Sequence, residues 1–205
     1  RCNQPDGVFC YTTTSAEGAK RTKRSQTTPV FTRTIGKASS RFLVTAAQNA
    51  TPVHAGFWQA LTRAANDLSA ELLVVPIRYK NPTSRWTASQ ANEEVWAPEV
   101  TPHLYNQRVR LHKNLVLIGD VKTQPTASSP LTGFDAITHG ESAILAHTKL
   151  QLKTIPTPQH SLPKILTTTG ACTKPNYTDS KAGALGSFHH TVGAALVEMR
   201  GKRFH

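Results

Sequence analysis

Two short apolar runs, Phe42-Leu43-Val44 and Leu72-Leu73-Val74-Val75-Pro76-Ile77, bracket a segment whose apolar residues recur at helical spacing. Phe57, Leu61, Ala64, Ala65 and Leu68 follow the i, i+4, i+7, i+8, i+11 pattern and fall on one helical face. Thr51 suits the N-cap and Pro52 the first helical position, so a helix is predicted from Pro52 to about Leu68. Both runs are continuously apolar rather than alternating, as in strands covered on both faces. Strand, helix and strand together predict a βαβ unit with parallel strands.

Later apolar runs add strands at Asn114–Ile118, which ends in Gly119-Asp120, and at Ser142–His147, Lys164–Gly170 and Thr191–Val197. Lys149–Ile155 alternates, so one of its faces meets solvent, as in an antiparallel or edge strand. Helical spacing is scarce after residue 70. The expected fold is α/β: a mixed, partly parallel sheet of about seven or eight strands built on the N-terminal βαβ unit, with a β-rich second half. Residues 1–40 lack periodicity and are rich in Thr, Ser and charge. They are expected to form a basic flexible arm, and 41–205 a single α/β domain. Thr28–Thr32 either adds an edge strand or staples the arm to the domain.

Charge changes the picture most. The formal net charge of +12 and a pI near 10.0 favour a polyanionic partner. Plain basicity, as in many virion proteins, is the alternative. No apolar run approaches the roughly 18 residues of a membrane span, so no membrane role is expected. The three cysteines, Cys2, Cys10 and Cys172, include no CxxC pair. They fit a reduced compartment better than a disulfide framework or a zinc site, with pairing of Cys2 and Cys10 left open. Met199 is the sole methionine, so the chain is expected to be a processed protein or part of a longer one.

Ligands of parallel sheets sit at the carboxyl ends of the strands. Those ends carry Thr45, Gln48 and Asn49 after the first run and Arg78, Lys80, Asn81, Thr83 and Ser84 after the second. For a nucleic acid, with DNA favoured, Lys20, Arg21, Lys23 and Arg24 of the arm together with Arg78, Lys80 and Arg85 would neutralise phosphates. Asn81, Thr83 and Ser84 would donate hydrogen bonds. Trp86, Trp96 and Tyr105 stand among Arg85, Arg108, Arg110, His112 and Lys113, where they either stack on bases or pin a long loop. Asp120, Asp179, His189 and His54 are the materials of a metal-dependent phosphodiesterase or nuclease using Mg²⁺ or Mn²⁺. The structural alternatives are that Asp120 caps a turn and His54 a helix. The chain contains no HxH, HExxH or DxD spacing, no phosphate-binding loop, no dinucleotide fingerprint and no GxSxG.

The order from Phe42 to Pro76 is similar to the start of a carbon–nitrogen hydrolase of the nitrilase type, which would place a glutamate after the proline. Ile77 and Arg78 stand there instead. A wider resemblance rests on Thr45–His54, Pro76–Ser84, Asn176–Gly183 and Phe188–Thr191. These stretches resemble a family of tailed-phage proteins, and the similarity covers about residues 41–200. Longer members of that family carry DNA-binding-like and metallophosphoesterase-like parts. The resemblance implies a phage-encoded nucleic-acid-binding module in phage DNA metabolism, working in the host cytoplasm during infection. A virion structural or ejected protein, in contact with other phage proteins or with itself, is the third reading.

Overall fold

In the computed structural model, residues 30–31, 35, 39–79, 96–161, 163–201 and 203–205 are described. β1 (Arg41–Gln48) and β2 (Glu71–Ile77) are joined by α1 (Ala55–Asp67) and pair in parallel, from Phe42 opposite Glu71 to Gln48 opposite Ile77. The predicted βαβ unit is therefore present. Its helix begins at Ala55 rather than Pro52, because the preceding residues are drawn elsewhere. Val53 bridges Thr173, and the His54 amide donates to the Cys172 carbonyl at 2.8 Å. The cap is His54, whose Nδ1 accepts from the Phe57 amide at 3.2 Å. Thr51 turns its hydroxyl back onto the Asn49 carbonyl.

The strands divide into two sheets. In the first, of order β2-β1-β8-β9, β8 (Ala195–Arg200) runs antiparallel to β1 and is followed by the short β9 (Arg203–Phe204). The second comprises β3 (Arg108–His112), β4 (Leu115–Ile118), β5 (Ser142–Leu145), β6 (Leu152–Ile155) and β7 (Lys164–Thr168), in the order β3-β4-β5-β7-β6. Its central strands β4, β5 and β7 are parallel, while β3 and β6 are antiparallel edges. The alternating stretch before Pro156 is thus an edge strand, as expected. Among the described residues the remaining helices are a 3-10 turn at Thr101–His103, the single-turn α2 (Phe134–Ile137), and α3 (Lys181–His189).

Side-chain alternation explains why both faces of the central strands are apolar. On β1, Phe42, Val44 and Ala46 point inward to meet Leu115, Leu117 and Ile144 of the second sheet. Leu43 and Ala47 point outward and pack with Leu61 and Ala65 of α1. On the second sheet, Val116, Ile118 and Leu145 face away from the first and are covered by Leu131 and Phe134. The layers run helix, sheet, sheet, helix. Each fully buried side chain such as Leu73 or Leu117 contributes about 1.5–3 kcal/mol of apolar burial.

A bridge at the carboxyl end links the sheets. Ala46 of β1 pairs in parallel with Ala171, just beyond β7, and Ala171 in turn with Val192. Gly170 makes the bend with φ +74, and a Cβ there would stand 3.0 Å from the Thr191 carbonyl oxygen. The carboxyl ends of β1, β2, β4, β5 and β7 consequently gather at one end of the sandwich. Among the described residues no helix is long and apolar enough to cross a membrane.

Candidate functional site

Where β2 and β4 end side by side, a cleft of about 260 Å³ opens. Pro76, Ile77 and Arg78 form one wall, and Gly119 through Gln124 the other, with Asn106 and Gln107 across its floor. Gly119 has a structural reason to be glycine, since a Cβ would meet the Gln107 carbonyl oxygen at 2.7 Å. Arg78 and Lys122 supply positive charge, and Gln107, Thr123 and Gln124 supply neutral hydrogen-bonding groups. Asp120 also lines the cleft, but its carboxylate is engaged by Arg108 Nε at 3.2 Å.

The second wall is held from behind. His147 Nε2 meets the Gln124 carbonyl at 2.9 Å, Thr148 donates to the Pro125 carbonyl at 3.0 Å, and Thr123 donates to the Ala146 carbonyl at 3.2 Å. The exit of β5 thus clamps residues 123–125. His147 Nδ1 accepts from the Lys149 amide at 2.9 Å, so its ring is the neutral Nε2–H tautomer with both nitrogens satisfied. Burial holds its pKa below the usual histidine value, and nearby Lys149 and His189 push the same way against the two backbone bonds.

Beside the clamp lies a second buried network. Asn49 Oδ1 accepts from the Tyr79 amide at 2.8 Å, and the Tyr79 hydroxyl pairs with Thr178 Oγ1 at 2.9 Å. Tyr177 stacks edge-on against Tyr79, and its hydroxyl pairs with His190 Nδ1 at 2.9 Å. His190 Nε2 donates its N–H to the Thr173 carbonyl at 2.8 Å. Burial lowers the His190 pKa and pushes the Tyr177 hydroxyl up to about 12. Gln48 donates through Nε2 to the Asn176 carbonyl at 2.8 Å, and Asn176 through Nδ2 to the Ala50 carbonyl at 3.3 Å. Their remaining oxygens, Gln48 Oε1 and Asn176 Oδ1, are buried without a protein donor among the described residues, positions where ordered water is the usual partner.

The residues expected to form a hydrolytic site are distributed as follows. Asp120 lines the cleft, whereas Asp179 lines a separate hollow beside α3. His54 caps α1 at the surface. His189 closes the last turn of α3 with its ring 5.1 Å from that of Phe188. Among the described residues, no three His, Cys, Asp or Glu side chains stand together as a group able to hold a metal ion. Cys172 is fully buried, and burial pushes its thiol up to about 12, outside the range of a reactive thiolate.

Of the residues expected to contact phosphate, Arg78 lines the cleft. Lys20, Arg21, Lys23, Arg24, Lys80, Asn81, Thr83, Ser84 and Arg85 lie outside the described residues, as do Cys2, Cys10 and Trp86. Trp96 pins its loop, donating from Nε1 to the Ala47 carbonyl at 3.1 Å and packing edge-on against Phe31. Phe31, whose amide donates to Asn106 Oδ1 at 2.8 Å, staples its segment to the sandwich as one of the two expected alternatives required. Sequence reasoning missed Lys122 and His147. The strand-end rule that found Arg78 points equally to the residues after Gly119-Asp120 and after Leu145-Ala146.

Comparison with known proteins finds similarity to a phage protein. The chain is 25% identical over 191 residues to Protein A1 of Escherichia phage T5, an alignment covering 89% of this chain and 34% of that protein. The chain therefore spans about a third of the length of this relative. No family model matches the sequence, and no solved structure matches it.

Proposed function

We propose that this chain is the nucleic-acid-binding part of a phage protein and that it takes a backbone phosphate in the cleft between β2 and β4. The observation that carries the reading is the cleft itself. It lies at the carboxyl ends of parallel strands, where ligands of such sheets bind, and it joins Arg78 and Lys122 with neutral donors on a chain of net charge +12. Arg78, whose Nε and Nη1 are buried, and Lys122 supply the positive charge that attracts the phosphate in this reading. In the same reading Lys20, Arg21, Lys23, Arg24, Lys80 and Arg85, which lie outside the described residues, also neutralise phosphates. A role in phage DNA metabolism belongs to the same reading, and the similarity to a phage T5 protein supports its phage origin.

The test is the salt dependence of binding to labelled DNA, followed by fluorescence anisotropy. Each phosphate contact contributes a slope of about −0.9 to the plot of log affinity against log salt. Arg78→Gln and Lys122→Gln should each flatten that slope by about 0.9 on duplex DNA. Affinity that does not fall with salt, or slopes unchanged in both variants, would sink the reading.

A metal-dependent phosphodiesterase is the second reading, and it is favoured by one observation: Asp120 lines the same cleft. The two readings predict opposite results for Asp120→Asn. If the cleft binds phosphate, removing its carboxylate and releasing Arg108 strengthens DNA binding. If Asp120 serves a Mg²⁺ or Mn²⁺ ion, the same variant abolishes metal-dependent nicking.

A further inference from the structure

One face of α3 is unlike the rest of the surface. Lys181, Ala184, Leu185 and Phe188 share it at helical spacing, and all are exposed, Leu185 to 40% and Phe188 to 83%. The opposite face is closed. Gly183 and Gly186 are buried there, so near to Thr178 and Tyr177 that added Cβ atoms would collide with both. The helix is thus held rigidly and presents an aromatic ring to solvent. The Phe188 ring pairs edge-to-face with that of His189 at 5.1 Å and still stays 83% exposed, so it can receive a planar ligand.

Beside Phe188 is a hollow of about 380 Å³, walled by Ala184 and Ser187 of α3 and by Tyr177 to Asp179 of the preceding segment. That volume is at the low end of small-ligand sites, about 300–1,000 Å³. Its chemistry is that of a base site rather than a phosphate site. The Asp179 carboxylate at its wall repels phosphate but accepts hydrogen bonds from ring or amino N–H groups, and the Ser187 hydroxyl both donates and accepts. Lys181 stands on the same face, about 10 Å from Phe188 along the helix axis, in position for the neighbouring backbone.

We infer that this face is a stacking site for an unpaired nucleobase, with Phe188 as the platform, the Asp179 hollow taking the base edge and Lys181 contacting phosphate. The inference rests on the nucleic-acid reading above and adds to it a site specific for single strands, because bases in a duplex have both faces covered. Aromatic platforms of this kind contribute about 1–3 kcal/mol per base.

The test uses the full chain with a labelled single-stranded DNA and the duplex of the same length. Phe188 is exposed, so Phe188→Ala should keep the wild-type far-ultraviolet circular dichroism. It should weaken single-strand binding about 5- to 150-fold and leave duplex binding unchanged. Phe188→Trp should restore single-strand binding, and its indole fluorescence should be quenched by single-stranded DNA beyond any change in the wild type, which has three tryptophans. Single-strand affinity that survives Phe188→Ala within about two-fold overturns the inference, as does an equal loss on the duplex. Salt-dependent DNA binding that ignores Phe188 defeats this inference alone. Absence of salt-dependent binding to either form defeats the broader reading as well.

Discussion

Glycine 183 should resist replacement by alanine, although in an open helix that exchange is favourable. On an exposed helix, Gly→Ala gains about 1 kcal/mol. Here the new Cβ would lie 2.0 Å from the Thr178 carbonyl oxygen and 2.9 Å from that carbonyl's carbon. The obstacle is backbone and cannot rotate aside. Thr178 is further fixed through its hydroxyl, which pairs with both Tyr79 and Ser180 at 2.9 Å. Relief requires α3 to lift, which also breaks the N-cap, because Ser180 Oγ accepts from the Gly183 amide at 3.1 Å. Overpacking costs about 1–3 kcal/mol, sometimes more, and loss of the cap about 1 kcal/mol. Against the propensity gain, the net loss is about 1–3 kcal/mol, or about 2–12 °C in Tm for a chain of this length.

Urea unfolding measures this directly. The midpoint for Gly183→Ala should fall with the slope m unchanged, and single-strand binding should weaken with it, because α3 carries Phe188. Ala184→Gly, on the exposed side of the same helix, is the control and should lose only about 1 kcal/mol through propensity. If Gly183→Ala proves stabilising, α3 does not rest on residues 177–178, and the reasoning about both this helix and its exposed face fails.

Three further outcomes are expected. His147 and His190 have folded pKa values below the unfolded reference of 6.5. Below that pH the unfolded chain takes up protons that the folded chain refuses. Stability should therefore be complete above about pH 6.5 and fall as the pH drops towards the folded values, by at most about 1.4 kcal/mol per pH unit for each histidine. Urea midpoints across that range should follow this course, and a His147→Gln, His190→Gln double variant should flatten it; an unaltered profile would show that these rings titrate freely. Cys172, buried and with its thiol pushed up to about 12, should resist alkylation by iodoacetamide at mildly alkaline pH in the folded chain and react once urea unfolds it. Lys164, 3% exposed, donates to the carbonyls of Asp135 at 2.8 Å and His139 at 2.5 Å, so Lys164→Met should cost about 1–3 kcal/mol by leaving both unmet. A neutral urea midpoint would show that those carbonyls find water.

The opening βαβ unit was legible because its signals were redundant: two apolar runs, a helical stripe and turn chemistry all agreed. The division into two sheets was not. Continuous apolar strands announce that both faces are covered, but Val44 and Leu117 carry no mark saying that they cover each other. β3 hid because Arg108, Arg110 and His112 alternate with Val109 and Leu111, a pattern that reads equally as a basic loop. α3 hid because Gly183 and Gly186 weaken the helical signal, and the tertiary contact that demands them is invisible in one dimension. Arg78 was found through the strand-end rule. Lys122 and His147 obey the same rule, yet a lone lysine after Gly-Asp and a histidine at the end of a strand are not distinctive without the neighbouring strand in place.

The strand ends also bear on whether the chain binds or cleaves. A hydrolytic centre needs a group free to take a proton, or clustered anions to hold a metal. At these five strand ends the candidate groups are committed to the fold. His147 and His190 have both ring nitrogens engaged, Tyr177 and Cys172 are held far above neutral pH in their ionisation, and the Asp120 carboxylate is paired with Arg108. Gln48, Asn49 and Asn176 are neutral amides where a metal centre would want carboxylates. These residues fix the backbone of residues 123–125 and 173–178 and so set the shape of the rim. The charged and aromatic side chains along that rim are Arg78, Asp120 and Lys122 at the cleft and Asp179, Lys181 and Phe188 at α3. A rigid neutral interior behind these charged side chains fits the proposed role, in which the rim holds a polyanion in a fixed register.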